Sequence, residues 1–299
     1  MGRSKDFFDE EVRNDYLVSA KMKEVWNIEL EILEEIDDIC KRHNLRYFAD
    51  FGTLLGGVRH KGFIPWDTDI DISMMRDDYE AFSKIASNEL KRPLYFVNAY
   101  NDGTLWALSK VGNENSTALQ YYGRKDVHQG IYVDIYPLDD VPDGSQLKQR
   151  VFLIQREVWM SIYNPEIVEN YLKTKSESTY KFTLDDIFLT ELLKMSLRDK
   201  FKIFEKFCSE NFGKSEKINV LSEVFCTKSN DLDRKWFDET EMIRFEDMLI
   251  PAPKAYDKVL TARYGKYMEP VIGASCHEDT IFEPDIPYAE YIDNCEKGK

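Results

Sequence analysis

The chain has 299 residues, of which 43% are hydrophobic and 13% aromatic. Its 40 Lys and Arg residues against 55 Asp and Glu residues give a formal net charge of −15. This composition supplies a core for one large domain or two closely joined ones and excludes wholesale disorder. The acidic balance argues against a general binder of duplex DNA or anionic membranes, because both need a basic surface. We therefore expect no nucleic-acid partner.

The sequence predicts a cytoplasmic protein. It has no run of 18 consecutive apolar residues, so no transmembrane segment is expected. The first residues, MGRSKDFFDEEV, lack the apolar centre of a secretory signal. The five cysteines are scattered and form no C-x-x-C pair, which is typical of a reducing compartment. Peripheral docking to a membrane enzyme is left open.

The hydrophobic pattern divides the chain into three parts. Residues 1–44 are expected to be helical, because apolar residues recur at helical spacing, and the acids among them, such as Glu29, are expected mostly on the solvent-exposed faces. Residues 45–140 alternate between short strand and helix patterns and form the expected catalytic core. Residues 141–299 carry long helical patterns, then a short extended piece, a further helix and a tail expected to be rich in loops.

Acidic residues interrupt two strands that are otherwise apolar. The first strand follows Pro65 and reads DTDIDIS, which places Asp69 and Asp71 on one face and the isoleucines on the other. The second reads IYVDIY and contains Asp134. Aspartate is depleted in strands, so its presence in two of them suggests a functional role. An isolated D-x-D is common by chance, and alone it is weak support for a metal site.

If the three aspartates converge, their repulsion needs a counter-charge. Two unit charges about 4 Å apart repel by roughly 4 kcal/mol at an effective dielectric near 20. A divalent cation removes this cost, and an all-oxygen ligand set selects a hard ion such as Mg²⁺ or Mn²⁺. Because Mg²⁺ is usually shared between carboxylates and substrate phosphates, the pattern indicates phosphoryl chemistry. An EF-hand is excluded, since Ile72 stands where its loop requires glycine.

A glycine-containing segment, GTLLGG, precedes the acids by about a dozen residues. It is neither a Walker loop nor a G-x-G-x-x-G fingerprint. Its simplest interpretation is a junction between a strand and a helix. Its functional interpretation is a backbone that approaches a phosphate at a helix N-terminus. The three potentially cationic residues that follow, Arg59, His60 and Lys61, favour the functional interpretation.

The run GTLLGGVRHKGFIPWDTDIDI, residues 52–72, closely resembles the signature of LicD family proteins. These are bacterial phosphorylcholine transferases and relatives, and fukutin and fukutin-related protein carry a similar core. Two further segments agree, HQGIYVDIYPLDD and LIPAPKAYDKVLTARYGKYMEP. The resemblance implies an α+β fold with a nucleotidyltransferase-like mixed sheet core, flanked by N-terminal and C-terminal helical regions.

The resemblance also implies roles for individual residues. The metal-binding and catalytic positions of the superfamily match Asp69, Asp71 and Asp134. The positions that contact substrate, or lie near it, match Asp67, Gly52, Thr53, Arg59 and His60. Lys110 lies on a predicted strand and is a further candidate for a phosphate contact, although a solvated lysine is an equally good interpretation.

The implied reaction moves phosphocholine, or a similar phospho-alcohol, from a CDP-linked donor such as CDP-choline to a hydroxyl of a cell-surface glycan precursor. Lipopolysaccharide and teichoic acid are acceptors of this class, Mg²⁺ or Mn²⁺ is the implied cofactor, and CMP is the product that leaves. Two alternatives stay open: a nucleotidyltransferase that moves NMP from NTP to a small molecule or protein, and a catalytically inactive nucleotide-binding member.

A choline head would need an aromatic cage, because quaternary ammonium groups bind to π faces. The sequence offers six candidates and does not decide among them: Trp66, Trp106, Tyr121, Tyr122, Tyr132 and Tyr136.

Overall fold

The computed structural model describes residues 3–103, 107–120, 124, 126–142, 145–175, 180–226, 230–271 and 279–297. The chain divides into two compact units. The first comprises Met1–Thr104, Leu108–Pro137 and Trp236–Lys299, and the second comprises Leu105–Ala107 and Leu138–Lys235. The three-part division drawn from the sequence, 1–44, 45–140 and 141–299, stays a prediction beside these two units.

Helices and strands alternate along the described chain, which confirms the predicted α+β class. The helices are α1 (Ala20–His43), α2 (Phe51–Arg59), α3 (Arg76–Glu89), α4 (Gln146–Tyr163), α5 (Pro165–Lys173), α6 (Asp186–Lys194), α7 (Leu197–Asn211), α8 (Leu221–Cys226), α9 (Tyr256–Tyr264) and α10 (Tyr288–Lys297). The strands are β1 (Glu11–Arg13), β2 (Tyr16–Val18), β3 (Phe48–Ala49), β4 (Ile70–Met75), β5 (Leu94–Val97), β6 (Ser109–Asn113), β7 (Thr117–Leu119), β8 (Ile131–Val141), β9 (Lys217–Asn219), β10 (Leu232–Asp233), β11 (Thr240–Phe245), β12 (Met248–Pro253) and β13 (Ile281–Glu283).

The start of the chain differs from the expected helix. Strands β1 and β2 form an antiparallel hairpin, and its turn residues Asn14 and Asp15 have φ values of 52° and 59°. Asn and Asp tolerate this left-handed conformation, which a two-residue hairpin turn requires and a helix forbids. Helix α1 begins only after Ser19, whose hydroxyl accepts a hydrogen bond from the backbone N of Met22. It ends at Asn44, as the sequence predicts, with φ of 54°.

The main sheet of the first unit brings the two acidic strands together. In that unit the strand order is β3-β4-β8-β6-β5, so β4 and β8 are neighbours. The β3–β4, β5–β6 and β6–β8 pairs are antiparallel. Ile70 and Ile72 of β4 are fully buried, as expected for the apolar face of this strand. Asp71, which lies between them, therefore points away from this apolar layer.

Helices cover the sheet and supply the core of the first unit. Helix α1 packs on α3 and β6, and α3 packs on β4 and β5. The ring of Trp26 in α1 stacks on Phe63 with centroids 4.4 Å apart, and Phe63 also contacts Phe245 at the end of β11. The aromatic residues of three distant segments thus form one packed cluster.

The C-terminal tail is more ordered than the sequence predicts. Strand β13 pairs with β7, with Phe282 opposite Ala118, and α10 follows it. The Thr117 hydroxyl donates a hydrogen bond to the carbonyl oxygen of Ile286 at 2.6 Å, and the Tyr288 N–H donates to the Ser116 carbonyl at 3.0 Å. A three-residue strand carries too weak a periodic signal to be distinguished from a loop.

The second unit contains the long helical patterns expected between residues 145 and 215. They form α4 to α7, and α4 packs on α5, α6 and α7. Residues 139–141 at the end of β8 pair with β9, and β9 pairs with β10. The Asp140 carboxylate accepts hydrogen bonds from the backbone N–H groups of Gly213, Lys214 and Ser215 and pairs with Arg234. No helix of the described residues combines the length and the apolar character that a bilayer span needs.

A buried ion pair connects α9 to the start of α2. Arg263 Nη2 lies 2.8 Å from Asp50 Oδ2, and the two side chains are 6% and 1% exposed. The Arg263 guanidinium also lies over the ring of Phe51, 4.1 Å from its centroid. Asp50 in turn caps α2, because its carboxylate accepts a hydrogen bond from the backbone N of Phe51 at 2.8 Å.

We expect Arg263→Met to lower the free energy of unfolding by about 3–5 kcal/mol, because it leaves the Asp50 carboxylate buried without its partner. Urea unfolding measures this change. Lys266→Met is the matched control, since the Lys266 side chain is 85% exposed, and it should change stability by less than about 0.5 kcal/mol. Equal effects of the two substitutions would contradict the structural importance of the pair.

Candidate active site

Three carboxylates converge where β4 and β8 run side by side. One oxygen from each of Asp69, Asp71 and Asp134 lies within 4.8 Å of the others. Asp69 directly precedes β4, Asp71 lies on it, and Asp134 lies on β8. We call these three residues the acid trio. The structure thus brings together the acids that the sequence singled out, while their roles as metal ligands and catalytic groups stay predictions.

The trio is electrostatically strained as an isolated cluster. Burial raises the pKa of Asp71 well above its usual value, and the charges of Asp69, Asp134, Asp67 and Asp50 raise it further. Each of these causes opposes the ionised form. A bound cation would reverse that balance, because it attracts all of the carboxylates at once. Three carboxylates with convergent oxygens are the donor set of a hard divalent ion, so the residues present fit Mg²⁺ or Mn²⁺.

The start of α2 is fixed against the acidic strand. The Thr53 hydroxyl accepts a hydrogen bond from the backbone N of Asp71 at 2.8 Å. The Asp50 N–H donates to the Asp71 carbonyl at 3.1 Å. A Cβ atom at Gly52 would lie 2.3 Å from Asp67 Oδ2, so only glycine allows this carboxylate to approach the helix. Gly52 and Thr53 therefore lie beside the trio, in the first turn of a helix.

Lys110 lies directly across from Asp134 in the β6–β8 pair. Its Nζ is 3.0 Å from Asp134 Oδ1 and 3.5 Å from the centroid of the Tyr132 ring. The structure therefore shows this lysine as the ion-pair partner of a trio member, where its charge offsets part of the repulsion. A phosphate contact for Lys110 stays a prediction.

Arg59 and His60 end α2 on the side of the site that holds Trp66. Arg59 donates hydrogen bonds to the Tyr267 carbonyl at 3.0 Å and to His60 Nδ1 at 3.4 Å. Burial, together with the charges of Arg59 and Arg13, lowers the pKa of His60 to about 4. His60 is therefore neutral at pH 7. Of the three potentially cationic residues in this segment, His60 is therefore uncharged, because it is partly buried and lies near Arg59 and Arg13.

A fourth acid, Glu29, is buried next to the trio. Its charge had placed it among the acids expected mostly on the solvent-exposed faces of the helix. Glu29 of α1 is 1% exposed, and its Oε2 has no hydrogen-bond partner among the described residues. Burial raises the pKa of Glu29 well above its usual value, and the charges of Asp69, Asp67 and Asp134 add to this. One turn earlier, Trp26 Nε1 donates to the Asp67 carbonyl at 3.2 Å and holds α1 against this loop.

The spacing of apolar residues in the sequence already carried a signal that Glu29 lies on the buried face of α1. It follows Val25 by four residues and precedes Ile32 by three, so it lies within the apolar stripe of α1. Its charge made the solvent-exposed face the natural assignment, because glutamate is rarely buried. Only the packing of α1 against the acidic strands reveals its position.

The aromatic candidates for a choline cage separate into distinct groups. Trp66 lies beside the site, in edge contact with Tyr16 and His60 at 5.9 and 6.4 Å between centroids. Tyr132 is buried under Lys110, and Tyr136 packs against Phe51 at 4.9 Å. The remaining candidates lie outside the described residues: Trp106, Tyr121 and Tyr122.

The fold and the site define an α+β protein with a carboxylate cluster suited to a hard cation and a phosphate. Residues 44–173 match the family model described as LicD/FKTN/FKRP, nucleotidyltransferase domain. The lipopolysaccharide cholinephosphotransferase LicD of Haemophilus influenzae is 26% identical over 245 residues, which cover 80% of this chain and 88% of that protein. The chain therefore carries a LicD-type domain at residues 44–173.

Shorter similarities reach proteins whose function is not named. An uncharacterized protein of Rickettsia prowazekii is 30% identical over 95 residues, 31% of this chain and 34% of the relative. An uncharacterized protein of Caenorhabditis elegans is 36% identical over 74 residues, 23% of this chain and 20% of the relative. The acid trio falls within the part that matches the family model, whereas Glu29 precedes it.

We expect Glu29→Gln to stabilise the metal-free protein progressively above about pH 4.5. The folded state holds the Glu29 proton more tightly than the unfolded state, so this group contributes stability at low pH that is lost as pH rises. Glutamine cannot titrate, so the difference between the variant and the wild type should grow by about 1.4 kcal/mol per pH unit until the folded-state pKa is reached.

Urea unfolding in EDTA between pH 4.5 and 8 measures this difference. Glu31→Gln is the matched control, because Glu31 is exposed on the same helix. Parallel stability curves for the wild type and Glu29→Gln would show that the buried carboxyl does not titrate as proposed.

Proposed function

We propose that this chain is a phosphotransferase that moves phosphocholine from CDP-choline to a hydroxyl of a lipopolysaccharide sugar and releases CMP. The observation that carries the proposal is the acid trio, which lies in a chain similar to a cholinephosphotransferase over most of its length. The acceptor class follows the printed name of that relative. Teichoic acid is a second acceptor of the same chemical class, to be tested beside lipopolysaccharide.

Asp69, Asp71 and Asp134 would hold Mg²⁺ or Mn²⁺. The ion would neutralise charge on the transferred phosphate and lower the pKa of the acceptor hydroxyl. In the reaction, the acceptor oxygen forms a bond to the phosphorus next to choline, the bond from that phosphorus to the CMP oxygen breaks, and the hydroxyl proton passes to solvent.

The remaining residues of the site would orient the phosphates. The first turn of α2, with Gly52 and Thr53, presents backbone N–H groups and the positive end of the helix dipole. Arg59 provides a planar donor for phosphate oxygens. Lys110 would share its charge between Asp134 and the substrate. Positioning and charge neutralisation supply most of the catalysis in transfers of this kind.

We expect Asp71→Asn to lower the rate of phosphocholine transfer by at least about a hundredfold, because the trio loses a charged ligand. The assay combines purified protein, MgCl₂, CDP-choline and a lipopolysaccharide acceptor. Mass spectrometry then follows CMP and the mass gained by the glycan. Thermal unfolding verifies that the variant folds, and Asp38→Asn, at a position 71% exposed on α1, is the control. Transfer at the wild-type rate by Asp71→Asn would contradict the assignment.

Removal of divalent ions with EDTA should abolish transfer, and either MgCl₂ or MnCl₂ should restore it. The same mass spectra test the alternative reaction. Incubation with CTP or ATP should leave the acceptor unchanged, whereas a nucleotidyltransferase would add the mass of NMP and release pyrophosphate. Release of CMP without a modified acceptor would indicate hydrolysis only.

A further inference from the structure

A cavity of about 320 Å³ adjoins the acid trio. Gly52 and Asp67 line one side of it. Gly52 is followed by Thr53, which bonds to the backbone of Asp71, and Asp67 stands two residues before Asp69.

Three aromatic side chains line the cavity: Trp66, Tyr264 and Tyr267. Their positions are fixed by neighbours. Trp66 has the edge contacts already described, Tyr264 is the last residue of α9, and the Tyr267 hydroxyl donates to Asp257 Oδ1 at 2.7 Å. Tyr264 and Tyr267 come from the C-terminal part of the chain and are not among the six cage candidates named from the sequence.

The electrostatic environment of the aromatic walls favours a cation. Burial raises the pKa of Tyr264, and the charges of Asp50, Asp71 and Asp67 act in the same direction, against the partial compensation of Arg263. The Asp67 carboxylate itself lines the cavity with these rings. A cation in this cavity would gain from the π faces and from the nearby carboxylates, whereas a neutral nucleobase would gain from stacking alone.

Two cationic side chains also line the cavity, Arg59 and Lys266. Arg59 lines the cavity and donates to the Tyr267 carbonyl, and in the described part of the chain it forms no ion pair with a carboxylate. Arginine stays protonated and binds phosphate oxygens. Lys266 is paired with Glu269, which also lines the cavity, at 3.5 Å, so Arg59 is the lining cation that has no carboxylate partner among the described residues. The cavity therefore offers an anion site at Arg59 and a cation site at the aromatic walls, which matches a zwitterion.

We propose that this cavity binds the quaternary ammonium head of the transferred phospho-alcohol, with Trp66, Tyr264 and Tyr267 as its walls. The assignment rests on the proposed function, and it identifies the residues that select choline over other alcohols. Arg59 would hold an oxygen of the attached phosphate while the phosphorus lies at the acid trio.

The test compares two ligands that differ in one atom. Phosphocholine carries a quaternary nitrogen, and 3,3-dimethylbutyl phosphate has the same shape with a neutral carbon in its place. NMR titration in MgCl₂ measures the affinity of each. We expect the wild type to prefer phosphocholine by about tenfold, Tyr264→Leu to remove most of this preference, and Tyr264→Phe to retain it. Trp66→Leu is a second variant at another wall, and Tyr180→Leu, in the second unit, is the control.

Four other results would overturn the assignment. Equal weakening of both ligands in Tyr264→Leu would mean that the walls act only as an apolar surface. Weaker binding of CMP with unchanged phosphocholine affinity would make the cavity a nucleobase site. The wild type could turn over CDP-choline while every variant keeps the same preference for phosphocholine over 3,3-dimethylbutyl phosphate. That result would contradict this assignment and leave the proposed function standing. Failure of the wild type to turn over CDP-choline at all would remove the proposed function and this assignment with it.

Discussion

The repulsion among carboxylates gathered at the junction of β4 and β8 is the physical constraint on which the site depends. Asp69, Asp71 and Asp134 are held together by the sheet itself, so they cannot move apart to relieve it. Lys110 offsets part of the charge from the neighbouring strand. The remaining negative charge would attract a hard cation, and such an ion would in turn attract phosphate.

The segments around this cluster support it through a small number of buried polar contacts. Thr53 bonds to the backbone of Asp71, and Arg263 pairs with Asp50 at the cap of the same helix. Trp26 of α1 bonds to the loop that carries Asp67. Consequently α1, the start of α2 and α9 all contribute to the surroundings of one site, although they are distant in sequence. Each of these contacts positions an acid of the site and also satisfies a buried charge or polar group. A substitution that removes one of them should therefore affect both the stability of the fold and the geometry of the site.

Under the proposed function, the cavity beside the trio would bind the alcohol that the reacting phosphate carries. The phosphate chemistry proposed for the trio would not distinguish choline from another head group. Discrimination would then require a separate surface, and the aromatic walls next to Arg59 are the surface that we propose for it. A relative could keep the same acids and act on a different alcohol if these walls changed, because the two tasks belong to different residues.

The sequence by itself determined the resemblance to the LicD family, the α+β class and the choice of Asp69, Asp71 and Asp134, because strand periodicity and a long specific motif are both local signals. It did not reveal the hairpin at Asn14 and Asp15, where turn chemistry overrides apolar spacing, or the burial of Glu29. Tertiary structure alone decided that Glu29 lies beside the trio and that Tyr264 and Tyr267 face a cavity there. The physical reason is that contacts between segments distant in sequence depend on packing, which local patterns do not encode.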